Sequence, residues 1–195
     1  SLDYKPAADR IAQFVGNESM PIASAALSAM YQLTGDEQVI PKILGFLQST
    51  NVNARRGSIQ DLIDAGYFRA IPNIAQCPVS MVFRLRGIRL LAQPAIASGE
   101  LKFLQIQRAL ERVLCDRPSD VTLVHSYQQA PTLDSLIQEL YGTDFGRCYL
   151  GSLTLLKNCA DDAPAALIKS YEKEGYNDYG AHYHMMRLFG WLKVN

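Results

Sequence analysis

A block of this sequence returns after about thirty residues, and that interval limits the fold more than any other feature. Laying 21–36 over 52–67 puts Ala26 on Gly57, Leu33 on Asp64 and Gly35 on Gly66. The segment 83–91 gives a third copy, with Gly87 about thirty residues beyond Gly57. Two short helices per repeat, with a small residue where helices approach closely, are the signature of an α-solenoid, because one such unit cannot bury its apolar face alone. The period is shorter than the roughly 40–47 residues of ordinary HEAT units, so each helix is about three turns long.

Helical spacing runs through the rest of the chain. Ile22, Ala26, Ala29, Met30 and Leu33 fall on one helical face, and Gly35 follows as a stop. Val39, Ile43, Leu44 and Leu47 make a second, shorter stripe. Beyond Leu91 the repeat blurs, but helices are expected over 102–114, 132–142, 147–159 and 162–175, with another from near Gly180. Thr132 is placed to cap the second of these and Gly142 to stop it, Pro164 suits a first turn, and the prolyl segment 116–120 is a break. Strand-like alternation is scarce. The chain reads as all-α, an α-solenoid of short HEAT-like helical repeats over 1–91, with a further helical extension over 92–195 packed on the same solenoid.

Composition narrows the function. Lys+Arg and Asp+Glu are both 19, so no net positive charge is available to neutralise phosphates, and nucleic acid is not an expected partner. No apolar run approaches the roughly 18–20 residues of a membrane span, and no signal peptide is evident. The first residue is serine, which reads as a piece of a longer protein. Cys77, Cys115, Cys148 and Cys159 are scattered without a C-x-x-C pair, so reduced thiols in a reducing compartment are expected and no metal site is. No nucleophile elbow, phosphate loop, dinucleotide fingerprint or zinc-protease helix is present.

Two clusters remain. Arg55, Arg56, Arg84, Arg86 and Arg89 sit at matching places in adjacent repeats, where planar guanidinium forks suit carboxylates. The plain alternative is a solvated face paired with Asp61 or Asp64. The second cluster is Tyr176, Tyr179, His182, Tyr183, His184, Phe189 and Trp191, an aromatic wall for a flat conjugated ligand or the packing face of a last helix. His182 and His184 point to different helical faces and make a poor metal pair. Asp61, inside a helix between apolar neighbours, is a candidate partly desolvated acid or a structural hydrogen-bond partner.

The order of Ala26-x-x-Ala29-Met30-Tyr31-Gln32-Leu33-Thr34-Gly35, then Arg55-Arg56 with Asp61-Leu62 and Gly66-Tyr67, then Arg86-Gly87-Ile88 resembles the E-type subunits of phycobilin lyases. Tyr179-Gly180-Ala181 is similar to a segment of their F-type partners. Gly57 stands where that family is expected to carry alanine, and 92–175 offers no motif that aligns. The length of the extension resembles single-chain members that act on phycoerythrin-type subunits.

The resemblance implies binding of an open-chain tetrapyrrole, phycoerythrobilin or phycocyanobilin, as substrate, with no permanently bound cofactor. It implies attachment through a thioether to a cysteine of a phycobiliprotein subunit, with double-bond isomerisation in some relatives. A partner lyase subunit, or an upstream part of the same chain, would complete the enzyme in the cyanobacterial cytosol or plastid stroma. On this reading Arg55, Arg56, Arg84 and Arg86 take propionates, Asp61 and Tyr67 assist proton transfer, and Tyr179, His182 and Tyr183 contact the pigment. The competing reading is a non-catalytic HEAT-like scaffold or chaperone that holds a phycobiliprotein or another partner.

Overall fold

In a computed structural model, which describes residues 7–192, the chain divides into two compact units, Ser1–Thr122 and Leu123–Asn195. The described residues form α-helices and single helical turns and contain no strand. The solenoid architecture is clearest in the first unit. It holds α1 (Ala8–Ala12), α2 (Met20–Thr34), α3 (Ile40–Phe46), α4 (Val52–Asp64), α5 (Ile71–Gln76), α6 (Met81–Ala97) and α7 (Phe103–Cys115). After α1 the helices come in pairs. The first helices α2, α4 and α6 pack in succession, and α5 packs on α7 in the other layer.

The caps show why the chain breaks where it does. Asn51 accepts from the backbone N–H groups of Asn53 and Ala54, and Ser80 accepts from that of Phe83, starting α4 and α6. Gly35 and Gly66 end α2 and α4 at φ 71° and 65°, a left-handed conformation open to glycine. At the second end, Gly66 N–H donates to the Ile63 carbonyl and Tyr67 N–H to that of Leu62, the paired bonds of a Schellman stop.

Counted from the N-caps Ser19, Asn51 and Ser80, the buried positions of the three first helices coincide. The fourth residues are Ala23, Arg55 and Arg84, the seventh are Ala26, Ser58 and Gly87, and the eighth are Leu27, Ile59 and Ile88. This register shifts the sequence alignment by one residue in the second copy. Ser58, rather than Gly57, is the small buried residue of α4. A Cβ on Gly87 would stand 3.0 Å from Ile59 Cγ2 and 3.3 Å from Ile74 Cγ2, whereas one on Gly57 would meet nothing within 4 Å. Close helix approach therefore explains Gly87 and not Gly57.

The apolar face of α2 also differs from expectation. Ile22 is exposed, and Ala23, Ser24, Ala26, Leu27 and Ser28 are buried, because α2 meets α4 through a seam of small residues. Ser24 Oγ and Ser58 Oγ lie 3.3 Å apart, and Ser28 Oγ donates to the Asp61 carbonyl at 2.7 Å. The second helices repeat as Ile40-Pro41-Lys42-Ile43 and Ile71-Pro72-Asn73-Ile74, each with proline in the first turn, where its missing N–H costs nothing. All four isoleucines are buried, each stabilising the core by about 1.5–3 kcal/mol.

The second unit holds α8 (Leu133–Glu139), α9 (Phe145–Asn158), α10 (Ala163–Ser170) and α11 (Tyr179–Leu192) around Leu136, Leu140, Leu155, Leu167, Met185 and Leu188. Thr132 Oγ1 caps α8 by accepting from Ser135 N–H, and Pro164 sits in the first turn of α10. The α8 helix ends at Glu139, three residues before Gly142. The change expected after Leu91 falls inside α6, and the division between units comes at Thr122. Among the described residues no helix is long and apolar enough to cross a membrane.

Candidate ligand-binding site

The five arginines singled out from the sequence do not share one surface. Arg55 and Arg84 are fully buried. Each is four residues past its N-cap, so its side chain reaches back toward the end of the preceding helical pair. Arg55 Nη1 donates to the Ser49 carbonyl at 2.7 Å, and Arg84 Nη1 donates to the Ala75 carbonyl at 2.9 Å. Arg84 Nη2 also pairs with the buried carboxylate of Asp116, which ends α7 in a left-handed conformation. These guanidiniums are engaged by internal acceptors and do not face solvent. Arg56 is half-buried, Arg86 and Arg89 are exposed, and none of the three has an ion-pair or hydrogen-bond partner among the described residues. Of the five, they are the ones open to an anionic ligand.

Asp61 lies in the last turns of α4 on the side that meets α2. Burial raises its carboxyl above the usual aspartate value, Asp64 adds to the rise, and a hydrogen bond from the Ser24 hydroxyl opposes it. Because the folded protein holds this proton more tightly than the unfolded chain, the linked stability is present below the unfolded pKa and is lost as pH rises through the folded value. Asp61→Asn is therefore expected to raise the urea midpoint at pH 7 and leave it unchanged near pH 3, where the wild-type carboxyl is already neutral. Equal midpoints at both pH values would remove the desolvated-acid description.

Tyr67 follows the Schellman glycine and stands edge-on to Tyr31, with ring centroids 5.8 Å apart. Burial raises the Tyr31 hydroxyl, Glu37 and Tyr67 add to the rise, and Arg69 opposes it. Arg69 in turn pairs with Glu37 at 2.9 Å on the surface.

In the second unit Tyr179 is 94% exposed at the start of α11. His182 stands edge-on to Tyr171 at 5.4 Å. Tyr183 packs beside Phe145 and His184, and the Arg187 guanidinium lies 5.6 Å from its ring and 5.5 Å from that of Trp191. Of the three expected contact residues, Tyr183 is thus the most committed to internal packing. His182 and His184 occupy different faces, as their spacing requires, with His184 buried.

A polar cluster that sequence reasoning missed joins the irregular segment before α8 to the turn between α8 and α9. His125 Nε2 is 2.9 Å from Asp144 Oδ2, Tyr127 Oη donates to Glu139 Oε2 at 2.5 Å, and Arg147 stands 3.7 Å from Glu139. Burial and the Glu139 carboxylate hold the Tyr127 hydroxyl well above the ordinary tyrosine value. No local spacing announces this cluster, because its members come from three separate segments.

The thiols are poorly suited to nucleophilic work. Burial pushes both Cys77 and Cys148 up to about 12, so each stays protonated near neutral pH. Their sulfurs lie within hydrogen-bonding reach of backbone carbonyls, Cys77 toward Leu47 and Cys148 toward Glu139, Gly142 and Asp144. No disulfide joins the four cysteines. Among the described residues no cluster of three or more His, Cys, Asp or Glu side chains is arranged to hold a metal ion.

No family model matches the chain. The uncharacterized phycocyanin operon protein Y of Pseudanabaena tenuis (strain PCC 7409) is 54% identical over 192 residues, which cover 98% of this chain and 46% of that protein. The bilin biosynthesis protein CpeY of Synechococcus sp. (strain WH8020) is 33% identical over 190 residues, 97% of this chain and 45% of that protein. The phycocyanobilin lyase subunit alpha of Thermosynechococcus vestitus (strain NIES-2133 / IAM M-273 / BP-1) is 35% identical over 113 residues, 54% of this chain and 41% of that subunit. The chain spans less than half the length of the curated relatives it matches. Two relatives aligned across nearly all of the chain, a third across about half of it, and an all-helical stack of paired helices agree with the motif order: the chain belongs to the family of E/F-type phycobilin lyases.

Proposed function

We propose that this chain binds an open-chain tetrapyrrole and presents it to a cysteine of a phycobiliprotein subunit for thioether formation. The observation that carries the reading is the near-complete alignment of the chain with a protein named for bilin biosynthesis, joined to partial alignment with a named phycocyanobilin lyase subunit. The residue chemistry supports it. A bilin carries two propionates, and Arg56 and Arg86 are charged side chains without an internal partner. Asp61 is an acid whose proton is held more tightly than usual, suited to donation toward a pigment nitrogen or carbon, and Tyr67 is a second proton carrier beside it in sequence. On the second unit taken by itself, Tyr179, His182 and Tyr183 are the proposed aromatic contact residues.

Attachment is an addition. The acceptor's thiol sulfur forms the new C–S bond, a side-chain double bond of the pigment opens, and the thiol proton ends on the pigment carbon, so no oxidant or reductant is needed. The acceptor supplies the nucleophile, in keeping with the protonated state of Cys77 and Cys148 here. The chain's part is orientation, which alone can supply much of the rate. Isomerisation of a pigment double bond during attachment is a further step available to the same proton donors. A partner lyase subunit, or another part of the same polypeptide, completes the enzyme, and the cyanobacterial cytosol or plastid stroma is its proposed compartment. The bilin enters as substrate and not as a resident cofactor.

Co-expression with a bilin-producing pathway and candidate phycobiliprotein subunits tests the proposal. The expected result is an acceptor that keeps its colour and zinc-dependent fluorescence in a denaturing gel. An acceptor that stays colourless when the chain is supplied within its full-length polypeptide and with candidate partner subunits, while the pigment is retained by this protein, would replace the lyase with a non-catalytic carrier.

A further inference from the structure

An apolar groove of about 370 Å³ runs between α6 and α7 in the first unit. Ile88, Ala92 and Ile96 form its α6 wall, and Phe103, Ile106 and Leu110 form its α7 wall. Its size falls within the roughly 300–1,000 Å³ typical of small-molecule sites. Phe103 is 57% exposed and Ile96 39%, so large apolar surface faces water along the groove. The α6 rim is basic. Val82, Arg86, Arg89, Gln93 and Ile96 form one exposed stripe at helical spacing, and Arg89 lines the groove itself. Arg86 and Arg89, one turn apart, have no partner among the described residues.

We infer that this groove seats the body of a conjugated dicarboxylate, with Arg86 and Arg89 holding its two carboxylates. The occupant is an open-chain tetrapyrrole, and this assignment rests on the function proposed above. Charge complementarity selects it. An uncharged apolar ligand leaves two guanidiniums unused, and a simple anion leaves the apolar walls wet. The two propionates of such a pigment stand on its two central rings, and arginines at i and i+3 offer planar forks on the same helical face. The conjugated rings then cover Ile96 and Phe103. Arg89, which lines the groove, replaces Arg56 as the second propionate ligand in this arrangement, and the buried Arg55 and Arg84 take no part.

Biliverdin, a commercially available open-chain tetrapyrrole with two propionates, is the probe. Titrated into the full 195-residue chain, it is expected to bind with induced visible circular dichroism. Arg86→Glu combined with Arg89→Glu should weaken binding by at least about tenfold, the scale of lost charge-assisted bonds, with far-UV signal unchanged. Arg117→Glu, an exposed charge change outside the groove, should bind as wild type. Biliverdin dimethyl ester should bind the wild type about tenfold more weakly than the diacid.

Undiminished binding by the doubly reversed protein, or equal affinity for acid and ester, overturns the groove assignment while the wild-type binding itself keeps the bilin reading. Absence of any biliverdin binding also overturns it, and the acceptor-labelling experiment then decides the bilin reading by itself. Concentration-dependent protection of α6 and α7 amides without pigment, the mark of a second copy seated there, overturns it as well.

Discussion

Arg84→Met is expected to lower the stability of the first unit by about 3–5 kcal/mol, the usual cost of leaving one member of a buried ion pair behind. The Asp116 carboxylate is 1% exposed and the Ala75 carbonyl receives an Arg84 N–H, so the substitution strips a charge and a carbonyl together. Adding Asp116→Asn should recover most of the loss. Asparagine tolerates the left-handed backbone of that position, at φ 47°, and brings no charge to be solvated. Urea unfolding followed by far-UV circular dichroism reads the effect. The single tryptophan, Trp191, belongs to the second unit and is a poor reporter for it. A loss below about 1 kcal/mol for Arg84→Met would place the pair among solvated surface bridges and contradict its burial.

The second large effect changes sign between two glycines that look alike in the sequence. Gly87→Ala is expected to destabilise by about 1–2 kcal/mol, overpacking against Ile59 and Ile74 exceeding the gain in helix propensity. Gly57→Ala meets open space and should stabilise by up to about 1 kcal/mol through propensity alone. Measuring both by urea midpoint checks the packing register, because stabilisation at both positions would mean that α6 does not approach α4 and α5 as closely as described.

The glycines also show how far the sequence could be read. Gly35 and Gly66 were legible because a helix stop is a local property of φ, and one residue type meets it. Their spacing gave the repeat. The seam of α2 against α4 was not legible, because it is built from Ser24, Ser28, Ala54 and Ser58, and hydropathy gives such residues little weight. The paired Ile-Pro-x-Ile segments were a readable signal left unused. They mark the second helix of two successive pairs better than any residue in the alignment.

The site was less legible than the fold. A sequence says that Arg55 and Arg84 are charged, and charge alone argues for the surface. Only the N-cap register, with carbonyls waiting at the end of the preceding pair, turns them inward. Arg86 and Arg89 have the same composition and the opposite fate because they lie on the far side of α6. The α6–α7 groove depends on how one helix lies on another, which single-helix periodicity does not encode.

The inward arginines carry a consequence for how the first unit comes apart. In repeat proteins, stability is approximately a sum of unit and neighbour contributions, which allows end units to peel away singly. Here each junction is sewn by a side chain from one pair to the main chain of the pair before it, and the second stitch also gathers in the last turn of α7. Detaching one pair breaks a buried charge-assisted bond at its seam, so peeling is penalised there and the stretch from α2 to α7 is expected to melt as one block.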